Sequence, residues 1–134
     1  MVIEKPLTVV IVDDESSVGF LSRMKFRNAI QNGTVDLHFF ENAAETMKYL
    51  ESRRKDMDDI IVFTDINMPE VSGYELLEDI REKFPQLPVY MMSAYDDSTS
   101  ISKSFNLGAQ GYFTKPVNYK DVKSLIETKY GVTL

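Results

Sequence analysis

Five short runs rich in β-branched and aromatic residues alternate with five segments of helical period, and this alternation constrains the fold more than any other feature. Leu7–Val12 (LTVVIV) is almost wholly apolar, as befits a strand covered on both faces. Val35–Phe40, Ile60–Thr64, Pro88–Met92 and Gly111–Thr114 read as the other four strands. The predicted helices are Ser17 to about Gln31, ended by Asn32-Gly33; Ala43–Arg54; Gly73–Phe84, stopped by Pro85; Ser98–Asn106; and Tyr119–Tyr130. Their expected inward stripes are Val18, Leu21, Ser22, Lys25, Phe26 and Ala29 in the first, Ala44, Met47 and Leu50–Glu51 in the second, and Leu76, Leu77 and Ile80 in the third. Ser98, Thr99, Ser100 and Ser102 make the fourth helix intrinsically weak. Strand–helix repeats with short connections imply right-handed crossovers: an α/β fold with a parallel sheet and helices on both faces.

Composition narrows the chemistry. A chain of 134 residues has the size of one domain, so residues 1–134 are expected to form a single unit. With no cysteine there is no disulfide, no thiolate catalysis and no sulfur-built zinc site. One histidine, His38, cannot form a histidine cluster and reads as structural or surface. Fifteen basic against 21 acidic residues give a net charge of −6, which disfavours a nucleic-acid or anionic-membrane surface and suits a cation site. The opening MVIEKPLTVVIVDD has too short an apolar run for a signal peptide or membrane span, so a cytoplasmic location is expected.

In open α/β sheets the site lies beyond the carboxyl ends of the strands, where strand order reverses. Strand one ends in Asp13-Asp14, strand three in Asp65, strand four in Ser93 and strand five in Lys115. Strand two, ending at Phe40-Glu41, adds nothing obvious. Three Asp at one rim would repel one another unless a cation neutralised them. Mg²⁺, a hard ion content with a few oxygen ligands, is the natural candidate. A carboxylate beside such an ion can act as a nucleophile toward phosphorus, and catalysis is then mainly positioning and electrostatics. Lys115 can pair one phosphoryl oxygen, and the Ser93 hydroxyl another. A Lys115-Pro116 bond held cis would turn the ammonium back into the site.

Taken in order, V-D-D-E at 12–15, D-I-N-M-P at 65–69 with Gly73 after it, M-S-A at 92–94 and G-A-x-G-Y-F-T-K-P at 108–116 resemble the response-regulator receiver family over essentially the whole chain. The resemblance implies a flavodoxin-like, doubly wound (βα)5 fold with strand order 2-1-3-4-5. It implies that Asp13 and Asp14 bind Mg²⁺, that Asp65 is the phosphoacceptor, and that Asn67 lends its backbone carbonyl to the metal. Ser93 would be the switch hydroxyl, Ala94 its small neighbour, Lys115 the phosphoryl-pairing lysine with Pro116 cis, and Tyr112 the aromatic that follows the switch. The implied phosphodonor is a histidine kinase or histidine phosphotransfer protein. The implied output is contact with a downstream protein target through Ser98–Asn106, Gly111–Thr114 and the exposed side of Tyr119–Lys129. The chain departs from the family in two places. The stretch between Asp14 and Asp65 is several residues longer than is common, with the excess placed around Arg53–Asp59, and bulky Tyr95 stands at the pocket mouth.

Phe20 and Met24, at i and i+4 roughly opposite the expected core stripe, mark a possible docking patch for the phosphodonor's helix. The rival readings are less well served. A Mg²⁺-dependent phosphohydrolase with an aspartyl nucleophile usually carries a second Asp two residues on, where this chain has Asn67. A flavodoxin would want a Ser/Thr/Gly phosphate loop where this chain has DDES. A degenerate receiver would lack one of the key positions. The expectation is a signalling module rather than a metabolic enzyme, stand-alone or part of a longer protein.

Overall fold

β1 (Leu7–Val12) is buried along its whole length and pairs in parallel with β2 (Val35–Phe40) on one side and β3 (Ile60–Asp65) on the other. β4 (Val89–Ser93) follows β3, and β5 (Gly111–Thr114) closes the far edge, so the sheet is all-parallel in the order β2-β1-β3-β4-β5. This is the flavodoxin-like order. The protein is described by a computed structural model over residues 5–134; the signal-peptide argument above rests partly on residues 1–4, which lie outside the described residues. Among the described residues no helix is long and apolar enough to cross a membrane.

Alternate side chains of each strand feed two cores. Val10, Val12, Val62 and Met91 point into one layer with Leu50, Leu76, Leu77 and Ile80, beneath α3 (Ala43–Ser52) and α4 (Gly73–Lys83). Val9, Ile11, Ile61, Phe63 and Met92 point into the other, where Phe26, Ala29, Tyr119, Val122 and Ile126 cover them. Ala29 belongs to α2 (Arg27–Gln31) and Tyr119, Val122 and Ile126 to α6 (Tyr119–Tyr130), while Phe26 stands between α1 (Ser16–Lys25) and α2. The remaining helix, α5 (Ser98–Asn106), occupies the predicted span. Its weak composition is offset by Asp97, whose carboxylate accepts hydrogen bonds from the Ser100 backbone N–H and hydroxyl.

Two expectations are corrected. The first predicted helix is not continuous: it breaks at Phe26, whose φ of −99° and ψ of 10° leave the helical range. The bend drops Phe26 into the core, 0% exposed and edge-on to Tyr119, at the cost of helical regularity. The inward stripe also differs. Leu21 and Lys25 are exposed, while Gly19, Ser22, Phe26 and Ala29 face inward. Gly19 is required there because a Cβ would stand 2.6 Å from the Phe39 ring, and its smallness lets α1 lie on β2. In α3 the inward residues are Ala43, Thr46 and Leu50, not Ala44 or Glu51. Asn42 caps the helix through the Glu45 N–H and so sets its phase.

Candidate metal centre

β1 and β3 adjoin in the sheet, so their carboxyl ends bring Asp13, Asp14 and Asp65 to one rim. One carboxylate oxygen from each lies within 4.8 Å of the others, the one such acidic cluster among the described residues. Asp13 is fully buried, Asp65 nearly so, and Asp14 is exposed. Local backbone holds the two buried groups. The Glu15 N–H donates to Asp13 Oδ1 at 2.9 Å, and the Ile66 N–H to Asp65 Oδ1 at 2.9 Å.

β5 delivers the counter-charge. Lys115 Nζ donates to Asp13 Oδ2 at 2.6 Å and stands 3.6 Å from Asp65 Oδ1. The Lys115–Pro116 peptide bond is cis, and the Lys115 N–H donates to the Ser93 carbonyl at 2.7 Å. Burial, reinforced by the Asp13 charge, pushes the Asp65 carboxyl above the usual range, although Lys115 and two backbone N–H groups work against it. Burial acts to lower the Lys115 ammonium. Its hydrogen bond to Asp13 and the charges of Asp65, Asp13 and Glu15 outweigh that and hold it above the usual lysine range.

Ser93, at the end of β4, is 1% exposed, and its Oγ accepts from the Tyr95 N–H at 3.0 Å. Tyr112 donates its hydroxyl to the Tyr95 carbonyl at 2.6 Å. Asn67 and Ala94 are exposed at the rim, and Tyr95 is 45% exposed beside it. The residues singled out from sequence thus share one edge of the sheet. Two contributors were not anticipated. Ile66 and Glu15 act only through backbone N–H groups, which residue type does not reveal. Gly73, noted only as part of a motif, opens α4 against the acidic strand end: a Cβ there would come within 2.0 Å of the Asp65 carbonyl oxygen. The Gly73 N–H meanwhile donates to the Ile66 carbonyl at 2.7 Å. His38 lies away from the rim, stacked on Tyr49 with ring centroids 4.5 Å apart and 3.0 Å from Asp36 Oδ2.

The donor set is all hard oxygen, partly buried and anionic, with a single ammonium opposing it. That suits a divalent cation of the Mg²⁺ kind better than a soft one.

A family model described as response regulator receiver domain matches residues 9–127. The chain is 34% identical over 117 residues to the DNA-binding transcriptional regulator NtrC of Proteus hauseri, covering 87% of this chain but 23% of that protein. It is 31% identical over 121 residues to the two-component response regulator ORR1 of Oryza sativa subsp. japonica, covering 87% of this chain and 52% of that one. The chain therefore spans about a quarter to a half of these relatives. Among solved structures, the signal receiver domain of an HD domain-containing protein from Pseudomonas fluorescens Pf-5 superposes with a TM-score of 0.81 at 19% identity, covering 96% of this chain and 89% of that one. That likeness supports the fold alone. The sequence matches carry the rest: this chain belongs to the response regulator receiver domain family, the phosphoryl-accepting signalling modules of two-component systems.

Proposed function

We propose that Asp65 is the residue that takes the phosphoryl group, with Asp13, Asp14, Asp65 and the backbone carbonyl of Asn67 holding Mg²⁺. The observation that carries this reading is the meeting of three carboxylates within 4.8 Å with an ammonium 3.6 Å from Asp65, at the strand ends where ligands bind such sheets. The bound ion supplies positive charge against the phosphoryl oxygens.

The chain's own groups do the remainder. The Ile66 N–H holds Asp65 Oδ1, which fixes the carboxylate and leaves its second oxygen to attack. An O–P bond forms there as the donor's N–P bond breaks, and the leaving imidazole keeps the electron pair. Lys115 is near enough to exchange Asp13 for a phosphoryl oxygen, and so stabilises the charge of the transition state. The Ser93 hydroxyl can rotate from the Tyr95 N–H to the phosphoryl group. That releases the β4–α5 loop, to which Tyr112 is tied, and the change spreads to α5, β5 and the exposed side of α6.

The phosphodonor in this reading is a histidine kinase or histidine phosphotransfer protein, and the output is contact with a downstream protein. Exposed Phe20 and Met24 of α1, beside the acidic rim, form the docking patch for the donor's helix. Intact-mass measurement after acetyl phosphate with Mg²⁺ tests the assignment. Wild type gains one phosphoryl mass and Asp65→Asn gains none; equal modification of both, or of neither, would overturn it.

A further inference from the structure

The edge of the sheet opposite the acidic cluster holds a cleft of about 480 Å³, within the size range of small-molecule sites. Its walls are the connector before β3, the connector before β4 and the last turn of α6. The floor is apolar: Phe84 and Leu87 are 6% and 2% exposed, with Met57 and Pro88 beside them. The rim is basic despite the acidic chain. Arg54, Lys83 and Lys129 face Asp58 as the one acid in the lining. Arg54 is already committed, donating to Glu51 at 2.8 Å and lying 5.1 Å over the Phe84 ring. Lys83 and Lys129 make no salt bridge among the described residues; Lys129 Nζ reaches only the neutral Gln110 Oε1, at 3.5 Å, so neither charge meets a carboxylate there.

Tyr130 completes the wall and carries the one phenol in the cleft. Burial, with smaller effects from Tyr90 and Asp59, pushes it up to about 12, so it stays protonated and able to donate across the physiological range. An apolar floor that would accept a flat hydrocarbon body, two ammonium groups at the mouth with no salt bridge among the described residues, and a neutral donor on one wall favour one class of ligand. We propose that this cleft is a second binding site, for a small organic anion with a flat apolar body, such as an aromatic carboxylate. A cation of the same shape would meet Lys83 and Lys129 and be repelled; a neutral one would supply neither with a counter-charge. This site is separate from the phosphoryl site and does not depend on that reading.

The test uses 2-naphthoate as the probe, with 2-naphthylmethylammonium as its cationic counterpart, followed by backbone amide NMR titration. Naphthoate is expected to shift the amides of Asp58, Gln86, Leu87 and Tyr130 and to bind at least about tenfold more tightly than the cation. The charge-reversed Lys83→Glu/Lys129→Glu protein should lose about tenfold in affinity while keeping its melting temperature. If charge reversal disturbs folding, Lys83→Gln/Lys129→Gln serves with the same expectation. Asp65→Asn should bind the probe as wild type does, which keeps this result distinct from any failure at the acidic rim. Equal affinity for both probes, shifts centred on Asp13 and Asp65, unweakened binding by the lysine variants, or no binding would each overturn the assignment.

Discussion

The Tyr112 hydroxyl donates a 2.6 Å hydrogen bond to the Tyr95 carbonyl, and the Tyr95 N–H in turn donates to Ser93 Oγ at 3.0 Å. One loop residue, Tyr95, therefore joins the Ser93 hydroxyl to the Tyr112 ring of β5 through its two backbone groups. Tyr112→Phe removes only the donor. Phosphoryl uptake from acetyl phosphate should persist, and stability should fall by about 1 kcal/mol. Amide hydrogen exchange across Ser98–Tyr112 should respond less to beryllofluoride than in wild type. An unchanged response would mean that the bond does not couple the two.

Asp65 gives a pH-dependent prediction. Burial and Asp13 hold its carboxyl above the usual range, so the folded chain keeps this proton to higher pH than the unfolded chain. Ionising Asp65 therefore costs stability as pH rises above the unfolded value of about 3.9, and the cost is complete above the folded pKa. Without divalent metal, Asp65→Asn should melt a few degrees (~2–6 °C) above wild type at neutral pH. The gain should vanish below about pH 4. Thermal melts across pH in chelator measure it, and a gain that grew on acidification would contradict the assigned direction.

Lys115 is the cation of a carboxylate that is itself fully buried. Lys115→Met removes the cationic partner of buried Asp13 and should cost about 3 kcal/mol in denaturant unfolding. Millimolar Mg²⁺ should recover part of that loss if the same carboxylates hold the ion. Phosphoryl uptake should fall steeply in either case. Equal unfolding midpoints with and without Mg²⁺ would argue against metal at this rim.

Phe20 is 70% exposed, so its truncation should leave stability within about 0.5 kcal/mol of wild type. Phe20→Ala should slow phosphoryl transfer from a protein donor and leave acetyl phosphate uptake unchanged. Stopped-flow transfer assays with both donors separate the two effects; equal slowing would remove the docking role.

The strands were legible because burial on both faces leaves an apolar run that few other contexts produce. β4 was displaced by one residue, from Pro88–Met92 to Val89–Ser93, and α5 was read as it stands. The rim was legible for a related reason: a parallel sheet sends every strand's carboxyl end to one edge, so Asp13, Asp65, Ser93 and Lys115 had to meet if the order was right. The break at Phe26 was not legible. Helical period runs straight through it, and what bends the chain is the fit of one ring against Tyr119, far away in sequence. Gly19 was passed over for a like reason, since only the neighbouring Phe39 ring shows why a side chain is excluded. The basic cleft at the opposite edge was invisible too. Its residues come from three distant segments, and no periodicity links them.

Leu7–Val12 serves both layers at once, with Val9 and Ile11 facing one way and Val10 and Val12 the other, and Asp13 follows directly. Losing a single residue inside this strand would swap the occupants of the two layers and draw the first acid back from its partners by about 3.3 Å. Strand length here acts as a ruler: the spacing that sorts oily side chains to either side also sets how far the charged tip reaches, so this protein cannot adjust one without the other.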